Sequence, residues 1–149
     1  MIKLLAIVGC MICGLLPYRR VFAHEPCQLP GTGGFRQNPL GSVRVRPLLA
    51  RGEVDSLGFY GGWINILPGG SVAEHVHAEG DEILWVTCGS ASVLVDGREV
   101  SLGEGSTLRI PRGVKHASRA GERGMVAVQV YRPGAPGLRF YDWTEHSQP

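Results

Sequence analysis

Residues 69–89 read GGSVAEHVHAEGDEILWVTCG, and residues 105–116 read GSTLRIPRGVKH. Both stretches contain strand-forming residues interrupted by glycine-containing turns. Imidazoles and carboxylates are common ligands of transition metals in proteins. Within the two stretches, four side chains are able to hold one metal ion: His75, His77, Glu82 and His116. The sequence therefore predicts a metal site among short β-strands.

The spacing of these residues explains why their side chains are expected to meet. His75 and His77 are two apart, and residues two apart on a strand face the same side of a sheet. The acidic turn 78–81 lets the next strand return antiparallel, so that Glu82 faces the same point. Two histidines and a carboxylate leave coordination positions open for water, oxygen or substrate. By the same alternation, Glu74 points away and is not expected to be a ligand.

The two stretches resemble the two sequence motifs of the cupin superfamily. The first motif is Gly, five residues, His-x-His, three or four residues, Glu, six residues, Gly. The second is Gly, five residues, Pro-x-Gly, two residues, His, three residues, Asn. The matching residues are Gly69, His75, His77, Glu82 and Gly89 in the first motif, and Gly105, Pro111, Gly113 and His116 in the second. Ala120 stands at the Asn position, which is not a ligand position.

This resemblance, which spans roughly residues 60–131, has implications for fold, cofactor and assembly. It implies a single-domain jelly-roll β-barrel, often paired as a homodimer. It also implies one divalent ion (iron, manganese, nickel, copper or zinc) held by the three histidines and Glu82. The ligand set by itself does not identify the ion.

The rest of the chain also favours an all-β fold. Short strand-like runs alternate with Gly- and Pro-rich turns, no sustained 3.6-residue apolar period occurs, and Asp96-Gly97 is a strong hairpin signal. We predict a flexible amino-terminal arm at 24–41 and a barrel domain at 42–149, with residues 140–143 packed across a barrel edge. The predicted strands are 42–48, 57–67, 71–77, 82–88, 91–95, 98–102, 106–110, 114–119 and 125–131.

The first 23 residues are typical of a secretory signal peptide. A short positive start at Lys3 precedes an apolar run, 4–16, and small residues stand before a cleavage position between Ala23 and His24. We therefore expect export, to the periplasm or outside the cell, and no membrane association after cleavage. An uncleaved anchor is the alternative, because two arginines follow the apolar run.

Cleavage changes the charge of the chain. The whole chain carries a net charge of +2, whereas the chain after Ala23 keeps 12 basic and 13 acidic side chains, a net charge of −1. Such a balance offers no electrostatic surface for nucleic acid or anionic membranes. Those partners are excluded, and a small molecule is the expected partner.

Two cysteines, Cys27 and Cys88, remain after cleavage. In an oxidising compartment they are able to pair. Sequence spacing does not show that two cysteines meet. A free Cys88 buried in an apolar strand is the alternative.

Four further residues are candidates for binding a substrate. Asn65 and Gln129 interrupt apolar strands, and a buried amide needs hydrogen-bond partners that a ligand can supply. Trp63 and Tyr131 can stack on an aromatic ring. For the two amides, the alternatives are hydrogen bonds to neighbouring strands or a position that faces solvent. For the two aromatic residues, the alternative is packing in the core or at a dimer contact.

These residues predict an exported metal-dependent enzyme, a dioxygenase or a lyase or decarboxylase, acting on a small organic acid or phenolic compound. The metal would polarise the substrate or bind oxygen, and Glu82 is the candidate catalytic proton acceptor. The alternative is a non-catalytic cupin that binds a metal or small ligand for sensing, storage or delivery. The fold does not decide between them, because one fold supports many chemistries.

Overall fold

The computed structural model describes residues 25–147. The predicted signal segment 1–23 and its cleavage site lie outside the described residues. The described residues form nine strands and one α-helix: β1 Phe35–Gln37, β2 Val43–Pro47, α1 Arg51–Leu57, β3 Tyr60–Ile66, β4 Ser71–His75, β5 Asp81–Val95, β6 Arg98–Gly103, β7 Thr107–Ile110, β8 His116–Arg132 and β9 Thr144–His146. A 3-10 helix, Ala135–Asp142, precedes β9. Within residues 25–147, no helix is long and apolar enough to cross a membrane.

All nine strands form one antiparallel sheet in the order β6-β5-β8-β3-β2-β1-β9, with β4 beside β8 and β7 beside β5. The long strands β5 and β8 pair along most of their lengths. Two register shifts, at 86–88 and 89–91, bend this pair. One half of the pair therefore joins β7 and β3, and the other half joins β6 and β4. The predicted all-β jelly-roll barrel is confirmed.

The last glycine of the first motif permits this bend. Gly89 has a φ of +77°. A Cβ atom at this position would overlap the carbonyl oxygen of Gly124 on β8 and would lie 3.0 Å from Sγ of Cys27. Only glycine combines this backbone conformation with such close approach. The motif glycine is therefore required where β5 and β8 cross.

The alternation of side chains along β5 separates the barrel interior from its outer face. Glu82, Leu84 and Val86 point inward and are buried, whereas Ile83 and Trp85 point outward and are 40% and 53% exposed. Burial of the apolar inward residues supplies the main driving force for closing the barrel. The same alternation places the carboxylate of Glu82 inside, next to the apolar core.

In two places, two neighbouring predicted strands form one continuous strand in the structure. The predicted strands 82–88 and 91–95 are continuous in β5, and 114–119 and 125–131 are continuous in β8. The small and glycine residues between them indicated turns, but they lie at bulges and bends inside long strands. Asp96-Gly97 is the predicted tight hairpin, since both residues have positive φ and Val95 pairs with Arg98.

Helix α1 was not predicted. It has seven residues, and Val54 is its buried residue, so the helix is too short to show an apolar period. The Glu53 side chain accepts a hydrogen bond from the N–H of Ala50, and Gly58 ends the helix at a φ of +72°. The predicted strand 57–67 consequently begins only at Tyr60.

The segment predicted as a flexible arm, 24–41, is held against the barrel over much of its described part. Cys27 is buried and forms a disulfide with Cys88, with their Cα atoms 5.9 Å apart. Further along, β1 pairs with both β2 and β9. The prediction of a free arm is corrected, because a covalent link and backbone pairing fix this segment. The open question of cysteine pairing is resolved in favour of the disulfide.

The carboxyl-terminal segment closes one end of the barrel. The 3-10 helix buries Phe140, whose ring lies 5.4 Å from the ring of Tyr60 and 6.1 Å from that of Tyr131. Trp143 packs edge-on against Phe140 at 4.9 Å. Residues 140–143 therefore pack on the barrel as expected, and they bring neighbouring side chains close to the predicted metal ligands.

Candidate metal centre

The four predicted ligands converge inside the barrel. His75 ends β4 and lies opposite His116, the first residue of β8. Glu82 is the second residue of β5. His77 follows the end of β4, and its carbonyl oxygen accepts a hydrogen bond from the N–H of Gly113 at 2.8 Å. One ligand atom from each of the four residues lies within 4.8 Å of the other three.

Backbone carbonyls orient two of the imidazoles. Nδ1 of His75 lies 2.9 Å from the carbonyl oxygen of Ala73, and Nδ1 of His116 lies 2.9 Å from that of Val114. A carbonyl only accepts, so Nδ1 carries the proton in both rings. Nε2 then keeps its lone pair toward the centre. This arrangement is the usual one for histidine that binds a metal through Nε2.

The surroundings of the buried Nε2 of His116 indicate whether the site suits a metal ion. It lies 3.2 Å from Oε2 of Glu82, within ion-pair distance, but the two groups are not aligned for a hydrogen bond. A buried nitrogen without a hydrogen-bond partner costs free energy. A cation at this point would use its lone pair and the Glu82 carboxylate together. The donor set therefore fits a transition metal ion.

Glu82 is held as a carboxylate. Its Oε1 accepts a hydrogen bond from Nε2 of Gln129 at 2.6 Å, and its Oε2 lies 3.1 Å from Nε2 of His77. Burial by itself would raise the pKa of Glu82. The neighbouring imidazoles and the Gln129 amide outweigh burial and hold this pKa well below its usual range. Glu82 is therefore ionised at neutral pH, as a metal ligand must be.

His77 differs from the other two histidines, because a cation lies beside its Nδ1. Nη1 of Arg139 is 3.3 Å from this nitrogen, and Nη2 of Arg139 donates to the hydroxyl of Tyr131 at 3.2 Å. Nε2 of Gln129 donates to the same hydroxyl at 2.7 Å. Burial raises the pKa of Tyr131 well above its usual value, which keeps the phenol protonated. A hydrogen-bonded network thus connects Arg139 to Glu82.

A cavity of about 370 Å³ opens onto this network. Its polar end contains three of the four ligand side chains with Gln129, Tyr131 and Arg139. Its walls are largely apolar and include Leu40, Val43, Ile64, Ile66, Val72, Leu84, Met125, Phe140 and Trp143. The size and lining are typical of a site for a small organic molecule.

Two of the four predicted substrate-binding residues line this cavity, namely Gln129 and Tyr131. Asn65 and Trp63 do not, because Ile64 between them points into the cavity and alternation turns both outward. The Asn65 amide instead lies close to the carbonyl oxygens of Cys27 and Met125. The assignment of Asn65 and Trp63 to substrate binding is therefore corrected.

The carboxyl-terminal contribution to the cavity was not predicted from sequence. Arg139 and Phe140 belong to the 3-10 helix, and Trp143 follows it. The chain contains 13 arginines, and the signal that distinguished Arg139 was its position directly before the aromatic-rich segment 140–143. Arg109 donates to the carboxylate of Asp81 from its guanidinium group, and Arg112 donates to the same carboxylate from its backbone N–H.

The sequence of this chain is similar to a known domain family and to a known protein. Residues 62–131 match the family model for the cupin domain. The tetracenomycin polyketide synthase protein TcmJ from Streptomyces glaucescens is 38% identical over 86 residues, which cover 58% of this chain and 56% of that protein. The matched region is thus little more than half of that relative.

Solved structures share the fold. An RmlC-like cupin from Shewanella frigidimarina matches with a TM-score of 0.58 and 18% identity, over 69% of this chain and 86% of that one. An oxalate oxidase in complex with glycolate matches with a TM-score of 0.56 and 25% identity, over 65% of this chain and 55% of that one. Residues 62–131 are therefore similar to the cupin domain, and the antiparallel barrel shares the fold of these cupin structures.

Proposed function

We propose that this protein is a metal-dependent enzyme, of the dioxygenase or lyase and decarboxylase type, that acts on a small organic acid or phenolic compound. The observation that carries the proposal is the buried Nε2 of His116, which lacks a hydrogen-bond partner beside Glu82. It lies at the polar end of a cavity large enough for an organic molecule. A site built for hydrogen bonding alone would not leave this nitrogen unpaired.

The side chains divide into two roles. His75, His77, Glu82 and His116 would hold the ion, which would supply Lewis-acid or redox chemistry toward a substrate oxygen. Gln129 keeps the Glu82 carboxylate in place through its amide. The contacts that lower the pKa of Glu82 also make it a weaker base, which favours its role as a ligand over its role as a proton acceptor.

Two of the relatives support a substrate of this class. One is a polyketide synthase protein, and the other is an oxalate oxidase solved with glycolate. The apolar walls of the cavity suit a carbon skeleton, and its polar end suits acidic or phenolic oxygens. We therefore propose an organic molecule with oxygen substituents at one end.

A matched pair of variants tests the proposal. The protein loaded in turn with each of the five candidate ions is assayed for oxygen consumption and carbon dioxide release on small organic acids and phenolics. We expect Glu82→Gln to lower turnover by roughly a hundredfold or more, since it removes a ligand charge. Glu104→Gln, which alters an exposed carboxylate between β6 and β7 and away from the cavity, should stay within about twofold of wild type.

Two outcomes would contradict the proposal that this protein is a metal-dependent enzyme acting at this site. Equal turnover in Glu82→Gln and wild type would place the chemistry elsewhere. Saturable metal or ligand binding with no turnover, under air or nitrogen and with every ion, would favour the non-catalytic binding protein instead.

We further propose that the protein is exported and cleaved between Ala23 and His24. The disulfide between Cys27 and Cys88 supports an oxidising compartment, because such bonds are rare where thiols are kept reduced. The intact mass of the exported protein checks this proposal. An intact mass that still includes residues 1–23 would contradict cleavage.

We propose a homodimer formed through the outer face of β5, β8 and β3. Trp85 and Ile83 are large exposed residues on this face. Trp85 pairs in register with Val128, and Val128 pairs with Trp63 on the next strand. The result is a row of apolar side chains across three strands, of the kind that marks a protein–protein interface.

A charge on this face should separate the dimer. We expect Trp85→Lys to weaken the dimer by about a hundredfold, since a buried interface lysine lacks a partner. Sedimentation velocity over a range of concentrations measures the effect. Leu94→Lys, a change at a similarly exposed apolar residue near the other end of β5, is the control and should not alter the dimer. A wild-type protein that stays monomeric at high concentration would contradict the proposal.

A further inference from the structure

Arg139 lines the cavity and has no carboxylate partner among the described residues. Among residues 25–147, no carboxylate oxygen lies within ion-pair distance of its guanidinium group. By contrast, Arg36, Arg51 and Arg109 pair with Glu145, Asp142 and Asp81. Arg139 is an exposed residue that lines the cavity, and a guanidinium group that no carboxylate neutralises favours binding of an anion.

The position of this guanidinium is fixed by its neighbours. It lies 4.7 Å from the centre of the Phe140 ring and 5.6 Å from that of Tyr131. Nη1 and Nη2 each make one contact, to His77 and to the Tyr131 hydroxyl. A guanidinium group has five N–H donors, so three remain. These donors match a carboxylate, which accepts two parallel hydrogen bonds from arginine.

We propose that Arg139 binds the carboxylate of the ligand in the cavity, so that the natural ligand is an anionic organic acid with an apolar body. This inference rests on the proposed function and narrows its substrate class from organic acids and phenolics to carboxylates. The apolar walls that hold the body of the ligand include Leu40, Ile64 and Trp143. Arg139 is a specificity-determining residue in this proposal and not a metal ligand.

Calorimetric titration with a shape-matched pair of probes, phenylacetate and neutral phenylacetamide, tests the inference without turnover. Wild type should bind phenylacetate, and Arg139→Gln should weaken this binding at least about tenfold, as expected when a hydrogen bond to a charged group is lost. Phenylacetamide should bind both proteins equally. Arg139→Lys, which keeps the charge, should bind phenylacetate more tightly than Arg139→Gln. Arg98→Gln, at the exposed hairpin end of β6, is the control and should match wild type.

The outcomes separate this inference from the proposed function. Equal phenylacetate affinity in wild type and Arg139→Gln, or no phenylacetate binding by wild type, would overturn the role of Arg139. Zinc affinity is measured on wild type as a separate readout, because Arg139 also contacts the metal-ligand candidate His77. A wild type that binds phenylacetate but no zinc would contradict the metal enzyme while supporting the carboxylate site.

Discussion

Replacing His75 and His77 together by alanine should abolish stoichiometric metal binding. Wild type is expected to bind one equivalent of a transition metal ion, and the double variant should lose roughly a hundredfold or more in affinity. The physical reason is that two of the four donor groups, which lie within 4.8 Å of one another, are removed. Metal content of the purified proteins by mass spectrometry, followed by competition with a chelator, measures the effect.

A control separates loss of ligands from general surface effects. His146 lies on β9, where it is exposed and stacks on Phe35 at 5.4 Å. His146→Ala should therefore bind metal as wild type does. If the double variant retained one equivalent of metal with unchanged affinity, the assignment of the site would be wrong.

Replacing Cys27 and Cys88 by serine should lower the free energy of unfolding by about 4 kcal/mol in the loop-entropy model. The disulfide closes a loop with a sequence separation of 61 residues, so its loss greatly increases the freedom of the unfolded chain. It also removes the covalent attachment of the amino-terminal segment to β5. Urea unfolding followed by circular dichroism measures the change.

A reducing agent provides the control for this second prediction. It should destabilise wild type by a similar amount and leave the double serine variant unchanged. The bond should also be absent when the protein is made in a reducing cytosol. Unchanged stability of wild type on full reduction would show that the bond contributes nothing.

The metal centre was predictable from local spacing. The spacing of His75, His77 and Glu82 indicated that they converge. In the structure His77 follows the end of β4, and β4 pairs with β8 and not with β5. His116 was expected from the second motif and not from local spacing, since its position depends on how β8 pairs with β4. The Asp96-Gly97 hairpin was likewise predictable, because its backbone conformation favours particular residues.

Long-range contacts were not predictable in the same way. Trp63 and Asn65 lie two apart on one strand, and the sequence does not show which face of a strand will line a cavity. Their assignment depended on the pairing of β3 with β8 and on the position of Cys27. The prediction that β5 and β8 are each two separate strands was wrong for a related reason, because bulges and turns contain similar residues.

The sequence by itself determined the fold class, the hairpin and the four candidate ligands, because each depends on residues close together in the chain or on a motif of fixed spacing. The tertiary structure alone decided that Cys27 meets Cys88, that the segment 25–41 is held on the barrel, and that Arg139 reaches the site. Cys27 and Cys88 are 61 positions apart, and His77 and Arg139 are 62 positions apart. The formation of these contacts depends on how the strands pair and close, which no local pattern of side chains encodes.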